Sequence, residues 1–481
     1  MKPKGVEKAL GNPVSRRVFK LITTKRADGS SLFDDIVSYL KGEHLPLGRK
    51  LKVIPIVPFL KPAIQIGTAN HPDRVLEVLN NEPYSVHAIE TALESVAKYG
   101  LRKPQVFTAP LLVVWNLTNA CNLKCRHCYQ RADHPLPNEL STEQKIQAID
   151  KLWEAGTSLI AFSGGEPLMA PEAFKIFRYA HDKGFHVSIA TNGTLLTPKN
   201  IVKIMEAGVN YIEVSLDSVH PETHDMFRGV NGAWRRTTEG IKNAVKIGRG
   251  KFTVGVATTV THFNFPEFED IIRFSFEELG VDKFYAFNFI PVGRGIDIMK
   301  YDLTPEEREE MMAIMYKYLS SGYEVFTTAP QFGRMCKMGT SNIYVSSHYT
   351  AFEGDAGSLA AEYIGGCGVG RAYAAIQPNG DLSPCVFMPQ EELKFGNIIR
   401  DNLKEVWESS TVLNIVRDRD NFEDNCGRCP YRHVCGGCRA RAYAYFGDLK
   451  APDPGCLLNK GAWEKLRSMY GIHTGEIRAA S

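Results

Sequence analysis

The 481-residue chain has no uninterrupted apolar run long enough to cross a bilayer. Its opening residues, MKPKGVEKALGNPVSRRVFK, lack the apolar centre of a secretion signal. The most apolar stretch near them, Leu51–Ile66, is broken by Pro55, Pro58 and Pro62 and charged at Lys52 and Lys61. It reads as a buried irregular segment; the alternative is a surface that rests on a membrane or captures a lipid. Neither sign of charge dominates. A net charge of +3 is too mild to argue for a nucleic-acid partner. The expectation is a cytoplasmic protein with no transmembrane segment, for which peripheral membrane contact stays open. Cysteine is missing from residues 1–120 and again from 129–335. The total of eleven is odd and comes without a secretion signal, which argues against a disulfide framework and for metal or redox use.

What is present falls into two cysteine groups. Cys121, Cys125 and Cys128 stand in the run CNLKCRHCY, directly after a strand-like stretch. The spacing suits three thiolates on three irons of a 4Fe–4S cluster, with the fourth iron left open for a ligand from outside the protein. Electron-transfer clusters usually have four cysteines and are closed. A zinc knuckle or merely buried cysteines are the plainer alternatives. The second group is Cys336, Cys367, Cys385, Cys426, Cys429, Cys435, Cys438 and Cys456. Two of its pairs have C-x2-C spacing and are compatible with a zinc ribbon, but a ribbon leaves Cys367, Cys385 and Cys456 unexplained.

The chain is too long for one core and suggests two or three domains. The cysteine-free block alternates strands and helices. Strands are expected at Leu111–Thr118, Ser158–Ser163, His186–Thr191, Tyr211–Leu216, Phe252–Val260 and Lys283–Pro291, all of them apolar as buried parallel strands are. Thr142–Glu154 places Ile146, Ile149, Leu152 and Trp153 on one helical face, and Pro171–Asp182 does the same with Phe174 and Phe177. Gly184, Gly208 and Gly280 fit helix C-terminal caps. The fold class is α/β, a partial (β/α)6 TIM-like barrel, with chemistry expected at the C-terminal ends of its strands. Those ends carry Ser163-Gly164-Gly165-Glu166-Pro167, Thr191-Asn192-Gly193, Ser215-Leu216-Asp217 with Arg228 beyond, Thr258-Thr259, and Ile290-Pro291-Val292-Gly293.

In combination, the CxxxCxxC triplet followed by Tyr129, the GGEP run and the barrel pattern resemble the radical S-adenosylmethionine superfamily over about residues 110–300. The resemblance implies that Cys121, Cys125 and Cys128 hold a 4Fe–4S cluster chelated at its open iron by the methionine part of S-adenosylmethionine (SAM). It further implies that Gly164, Gly165 and Glu166 line the methionine amino group. Tyr129, Asn192, Ser215 and Arg228 are then further candidates for cofactor contacts. Reductive cleavage would give a 5′-deoxyadenosyl radical that abstracts a substrate hydrogen.

The later cysteines, with FGNIIRDNLKEVW before Cys426 and GGCRARAYAYFGD after Cys435, resemble the SPASM extension of that superfamily, which holds two auxiliary 4Fe–4S clusters. The last short spacing here is x2 where the family often has x3. On the family pattern one auxiliary cluster takes Cys367, Cys385 and Cys438, with Cys336 left to close it. The other takes Cys426, Cys429, Cys435 and Cys456. Three clusters in all suggest a net oxidation, such as decarboxylation, dehydrogenation or bond formation at carbon.

The first 110 residues read as mostly helical, with amphipathic segments at Ser30–Gly42 and His87–Lys98. They lack the three-strand pattern of a winged-helix peptide-binding domain. The CGGCRARAYA run looks most like the radical enzymes that trim tetrapyrrole side chains in haem and haem d1 synthesis. A small-molecule substrate of that kind therefore leads, and a peptide or lipid substrate follows. A non-enzymatic iron–sulfur carrier is the reading from another class, and the open triplet beside GGEP argues against it. A reducing partner such as ferredoxin or flavodoxin is expected. The expected division is a helical extension over residues 1–108, the barrel over 109–325 and a small cysteine-rich iron–sulfur region over 326–481.

Overall fold

Six apolar segments of the cysteine-poor block become six parallel strands: β1 (Leu112–Thr118), β2 (Leu159–Gly164), β3 (His186–Thr191), β4 (Tyr211–Ser215), β5 (Thr253–Val260) and β6 (Lys283–Asn288). They lie in sequence order, the arrangement of a partial barrel wound by right-handed crossovers. The computed structural model describes residues 10–58, 79–80, 82–346 and 350–470. Side chains alternate across the strands. Ile160, Phe162, Val187, Ile189, Ile212 and Val214 are fully buried and join the main core with Ile149, Leu152 and Phe177 of the covering helices. The intervening residues on β2, β3 and β4 stay partly accessible, so the interior of the barrel is open rather than filled.

The helices form where the sequence places them. Thr142–Ala155 starts at a Ser141–Gln144 capping box and ends at Gly156 in the left-handed region. Ala173–Lys183 ends at Gly184 in the same conformation.

The sheet does not stop at six strands. β7 (Val325–Thr327) extends the β6 edge in parallel. Across the chain, β8 (Ile343–Ser346) and β9 (Thr350–Glu353) form a separate hairpin, and β10 (Tyr373–Ile376) pairs in parallel with β1. β11 (Asp381–Ser383) and β12 (Gly396–Asn397) follow in antiparallel, giving a sheet of ten strands. The expected division at 325/326 therefore falls inside β7, and a strand of the cysteine-rich region sits directly beside the first strand of the barrel.

Helices precede the barrel, and among the described residues no strand lies before β1. Phe19, Ile22, Phe33, Ile36, Leu93 and Val96 give these helices a small core of their own. The helix Pro83–Tyr99 docks at the N-terminal ends of the strands. His87 stacks on Trp153 at 4.0 Å, Thr91 Oγ1 donates to the Gly156 carbonyl at 2.9 Å, and Tyr84 meets His186 edge-on at 5.1 Å. The extension thus covers the end of the barrel opposite the cysteine triplet. Of the apolar stretch Leu51–Ile66, residues 51–58 are described, with Leu51 and Ile54 exposed; 59–66 lie outside the described residues. No helix among the described residues is long and apolar enough to cross a membrane.

Candidate active site

The triplet leaves the C-terminal end of β1 in a loop held by its own backbone. Cys121 N donates to the Asp133 carbonyl at 3.0 Å, and Asp133 N donates to the Asn119 carbonyl at 3.0 Å. Glu139 accepts from Asn119 N at 2.6 Å and from Thr118 Oγ1 at 2.9 Å. Arg294, just after β6, donates from Nε to the Cys125 carbonyl at 2.8 Å and from Nη1 to the Ala132 carbonyl at 3.1 Å, and its N–H donates to the Cys128 carbonyl at 2.8 Å. The three sulfurs gather around Leu123, Val230 and Ala233.

Burial pushes the Cys121 thiol up to about 12, with the charges of Cys125, Glu166 and Cys128 adding to the rise. Burial also raises Cys125, opposed by the Arg228 guanidinium. Thiols held neutral by burial and by one another are what a cluster must deprotonate on binding.

The GGE run shows why glycine is required there. A Cβ on Gly164, at φ +121°, would lie 2.5 Å from the Thr118 carbonyl oxygen, and one on Gly165 would lie 2.1 Å from that of Ala120. Gly165 N and Glu166 N donate to those same two carbonyls at 2.8 Å. The close approach expected toward a ligand is made here to the backbone that feeds the triplet. Glu166 is fully buried. Its carboxylate accepts from Thr191 Oγ1 at 2.8 Å, Asn192 N at 2.9 Å and Leu168 N at 3.2 Å, so it ties β2 to β3. Burial nonetheless raises it to about 7.

Asn192 donates from Nδ2 to Asn122 Oδ1 at 2.8 Å and accepts from Thr194 Oγ1 at 2.6 Å, joining the β3 end to the cysteine loop. Arg228 is not free for a ligand. Its Nε bonds Asp217 at 2.5 Å, and its Nη1 lies 3.7 Å from Cys125 Sγ. The Tyr129 hydroxyl donates to Asn116 Oδ1 at 3.0 Å and lies 3.2 Å from Ser163 Oγ, while its ring meets Phe387 edge-on at 4.9 Å. Ser215 ends β4 on the accessible inner face.

Residues that the sequence reading passed over complete the site. His127, between the second and third cysteines, stacks on Phe227 at 4.2 Å. Asn122, Glu139 and Arg294 hold the loop or its neighbours, and Asp217, which stands at the end of β4, holds Arg228. For Arg294 the usable signal was a basic residue following a glycine at a strand end.

The later cysteines form two further groups. Cys426, Cys429, Cys435 and Cys456 line one pocket, open to solvent, together with Arg334 and Asn459. Backbone N–H groups already point at sulfur: Gly437 N at 3.3 Å from Cys435 Sγ, Tyr431 N at 3.4 Å from Cys429 Sγ and Asp453 N at 3.5 Å from Cys426 Sγ. A pocket walled by four thiols suits a four-thiolate cluster.

Cys367, Cys385 and Cys438 gather on the other side. Cys367 precedes β10 and Cys385 follows β11, so the sheet itself carries both toward β1. Burial raises Cys438, and the charges of Asp453, Cys367 and Cys385 raise it further. Cys336 does not join them. It is 1% exposed within the main apolar core, beside Phe332 and Val345, and no other cysteine acts on its thiol, which burial alone drives to about 12. The helix Gln331–Met338 turns Cys336 into the core, whereas the sequence reading had it close this group.

The CRARAYA run has a structural reason. Arg441 bonds Asn288 at the end of β6 at 2.7 Å and pairs with Asp302 at 3.2 Å and Asp453 at 3.5 Å. Asp453 in turn accepts from Cys438 N at 2.7 Å. All three side chains of this ionic set are buried.

Residues 115–275 match the family model of the radical SAM superfamily, and residues 367–430 match that of the SPASM iron–sulfur cluster-binding domain. The chain is 34% identical over 361 residues to the AdoMet-dependent heme synthase of Methanosarcina barkeri, covering 73% of this chain and 98% of that one.

The chain belongs to the radical SAM superfamily.

A second relative, the Fe-coproporphyrin III synthase of the same organism, is 31% identical and covers 73% of this chain and 88% of its own length. The fold is that of SuiB from Streptococcus suis bound to S-adenosylmethionine, with a TM-score of 0.58, 16% identity and coverage of 89% and 93%. As a radical SAM enzyme with a SPASM region, it uses 4Fe–4S clusters and S-adenosylmethionine.

Proposed function

We propose that this radical SAM enzyme oxidatively trims a carboxylate-bearing iron tetrapyrrole. Two observations support the reading: the relatives named for haem and for Fe-coproporphyrin III align over most of their own length, and no peptide-binding strands precede the barrel among the described residues. The triplet Cys121, Cys125 and Cys128 would hold the catalytic cluster. Cys426, Cys429, Cys435 and Cys456 would hold a complete auxiliary cluster, and Cys367, Cys385 and Cys438 a three-thiolate one. Bound at the triplet, the cluster and SAM supply a 5′-deoxyadenosyl radical that abstracts a substrate hydrogen.

The chain's own residues do the rest. Arg294, Glu139 and Asn192 fix the cysteine loop, and Gly165 keeps β2 close to it. The helix Pro83–Tyr99 covers the far end of the barrel. Conversion of a propionate to a vinyl group releases carbon dioxide, one proton and two electrons. Hydrogen-atom abstraction removes the proton with one electron, and the second electron needs an acceptor, for which the cysteine-rich region is the candidate. We take a low-potential ferredoxin or flavodoxin as the reductant and the cytoplasm as the place of action.

The test is anaerobic incubation of the reconstituted protein with SAM, dithionite and iron coproporphyrin III, followed by mass spectrometry of the tetrapyrrole. Loss of carbon dioxide and two hydrogens per modified side chain is expected. Formation of 5′-deoxyadenosine with the tetrapyrrole unchanged would overturn the reading.

A further inference from the structure

The open interior of the barrel contains one acidic side chain that the site described above does not use. β4 alternates Ile212 and Val214, both fully buried against the helices, with Tyr211, Glu213 and Ser215 on the inner face. Glu213 is therefore directed into the barrel. Its cross-strand partners are Ala190 on β3 and Gly255 on β5, neither of which offers a polar side chain. Gly255 has to be small, because a Cβ there would lie 2.1 Å from the Tyr211 hydroxyl.

Aromatic rings pack nearby: Tyr211, two residues before Glu213 on β4, and Tyr285 have centroids 6.1 Å apart, and Tyr285 and Phe326 5.5 Å apart. Above Glu213, toward the strand C-terminal ends, lie Ser215 and Ser163 and then the triplet. Tyr129 reaches in from the cysteine loop, its hydroxyl 3.2 Å from Ser163 Oγ on β2.

The Glu213 side chain is partly accessible from the barrel interior, so its carboxyl is open to a ligand there. Among the described residues Glu213 has no hydrogen-bond partner. Burial alone raises it to about 7. Every other carboxyl singled out near the barrel mouth is engaged: Glu166 by Thr191 and Asn192, Asp217 by Arg228, Glu139 by Asn119.

The geometry points to Glu213 as a substrate-binding residue: it anchors the substrate deep in the barrel by a hydrogen bond to one of the substrate's carboxylates. This rests on the tetrapyrrole reading above. In its protonated form, which the raised value favours, the Glu213 carboxyl donates a hydrogen bond to a substrate carboxylate. Anchoring one acidic side chain at Glu213 leaves another part of the same molecule at the triplet end, where hydrogen abstraction takes place. Glu213 thus acts on position and affinity and has no part in making the radical.

The test uses the reconstituted holoenzyme and the variants Glu213→Gln and Glu213→Met. Binding of iron coproporphyrin III is followed anaerobically by the shift of its Soret band, and uncoupled SAM cleavage is measured alongside. The Gln side chain keeps a donor, so its Kd should stay within about threefold of wild type. The Met side chain has similar length and no donor, so its Kd should rise about tenfold or more, the loss expected for a hydrogen bond to a charged group. Cleavage of SAM without substrate reports whether each protein holds a working triplet cluster. Should the Met variant fail to fold, Glu213→Ala takes its place. If wild type binds the porphyrin and the Met or Ala variant binds it equally well, the assignment of Glu213 is wrong while the tetrapyrrole reading stands. If wild type does not bind it at all, both fall.

Discussion

The guanidinium of Arg228 lies 3.7 Å from the sulfur of Cys125 and is itself held by Asp217 at 2.5 Å. A buried positive charge beside a cluster thiolate stabilises the more negative, reduced state, and hydrogen bonds and charge near sulfur are known levers on cluster potential. Replacing Arg228 with Met should shift the potential of the triplet's cluster downward, seen as a smaller reduced fraction by EPR at a fixed dithionite potential. It also strands Asp217, a loss of about 3–5 kcal/mol for a broken buried pair. The double variant Arg228→Met with Asp217→Asn should recover most of that stability and part of the potential, because it also removes a negative charge that acts on Cys125. An unchanged reduction midpoint in the Arg228→Met single variant would show that Arg228 serves packing alone.

The triplet should account for one cluster of three. Wild-type protein reconstituted anaerobically should carry about twelve irons, and changing Cys121, Cys125 and Cys128 to Ala should leave about eight and abolish 5′-deoxyadenosine formation. Iron and sulfide analysis with Mössbauer spectroscopy gives the count. Continued cleavage of SAM by the triple variant would remove the catalytic role from these cysteines.

Cys336 should be dispensable for metal. Because it packs in the apolar core, Cys336→Ala should lower stability by about 1 kcal/mol, as small core truncations do, and leave the iron content at the wild-type value. Loss of about four irons would mean that it is a cluster ligand after all.

The auxiliary groups should matter after radical formation. Cys426→Ala and Cys456→Ala should each lose one cluster, keep SAM cleavage and lose product. A folded, soluble variant is the necessary control, since a small cysteine-rich fold draws stability from its metal. Product formation at the wild-type rate would make these clusters structural and remove the support for a net oxidation.

Glu213 predicts a pH dependence with a definite sign. Its folded value of about 7 lies above the unbonded 4.5. Between these values the unfolded chain has lost the proton that the fold retains, so the contribution to stability falls as pH rises through that window and levels off above it. Glu213→Gln should match wild type near pH 4.5 and be more stable near pH 7.5 by about 1–2 kcal/mol, below the full conversion because the cavity admits water. Thermal unfolding at the two pH values measures the difference.

The six strands and the helices Thr142–Ala155 and Ala173–Lys183 were legible because a parallel strand buried on one face and a helix with an apolar stripe leave unmistakable periods. The triplet was legible because its ligands are local. What local pattern could not reveal was pairing across long sequence distance. That β10 would lie beside β1, some 260 residues away, depends on non-local hydrogen bonds, and so did the company kept by each late cysteine. Cys336 shows the limit: counting assigned it to a cluster, and the facing of one helix placed it in the core. Glu166, Arg228, Thr191, Asn192 and Asp217 were all singled out at strand ends, but which of them bond to one another depends on the fold: Glu166 reaches across from β2 to Thr191 and Asn192 on β3, and Arg228 turns back to Asp217 after β4.

The pairing of β10 with β1 also bears on how the two halves of the molecule can be separated. Cut after β7, the barrel would expose a row of unpaired N–H and C=O groups along β1, a template for other chains and a hazard for aggregation. The halves therefore are not interchangeable modules on a tether: removing the cysteine-rich half should leave an insoluble barrel rather than a smaller enzyme. The same hydrogen bonds fix the interval between the triplet and Cys385 with the stiffness of a sheet, so electron transfer between them does not wait on a docking motion.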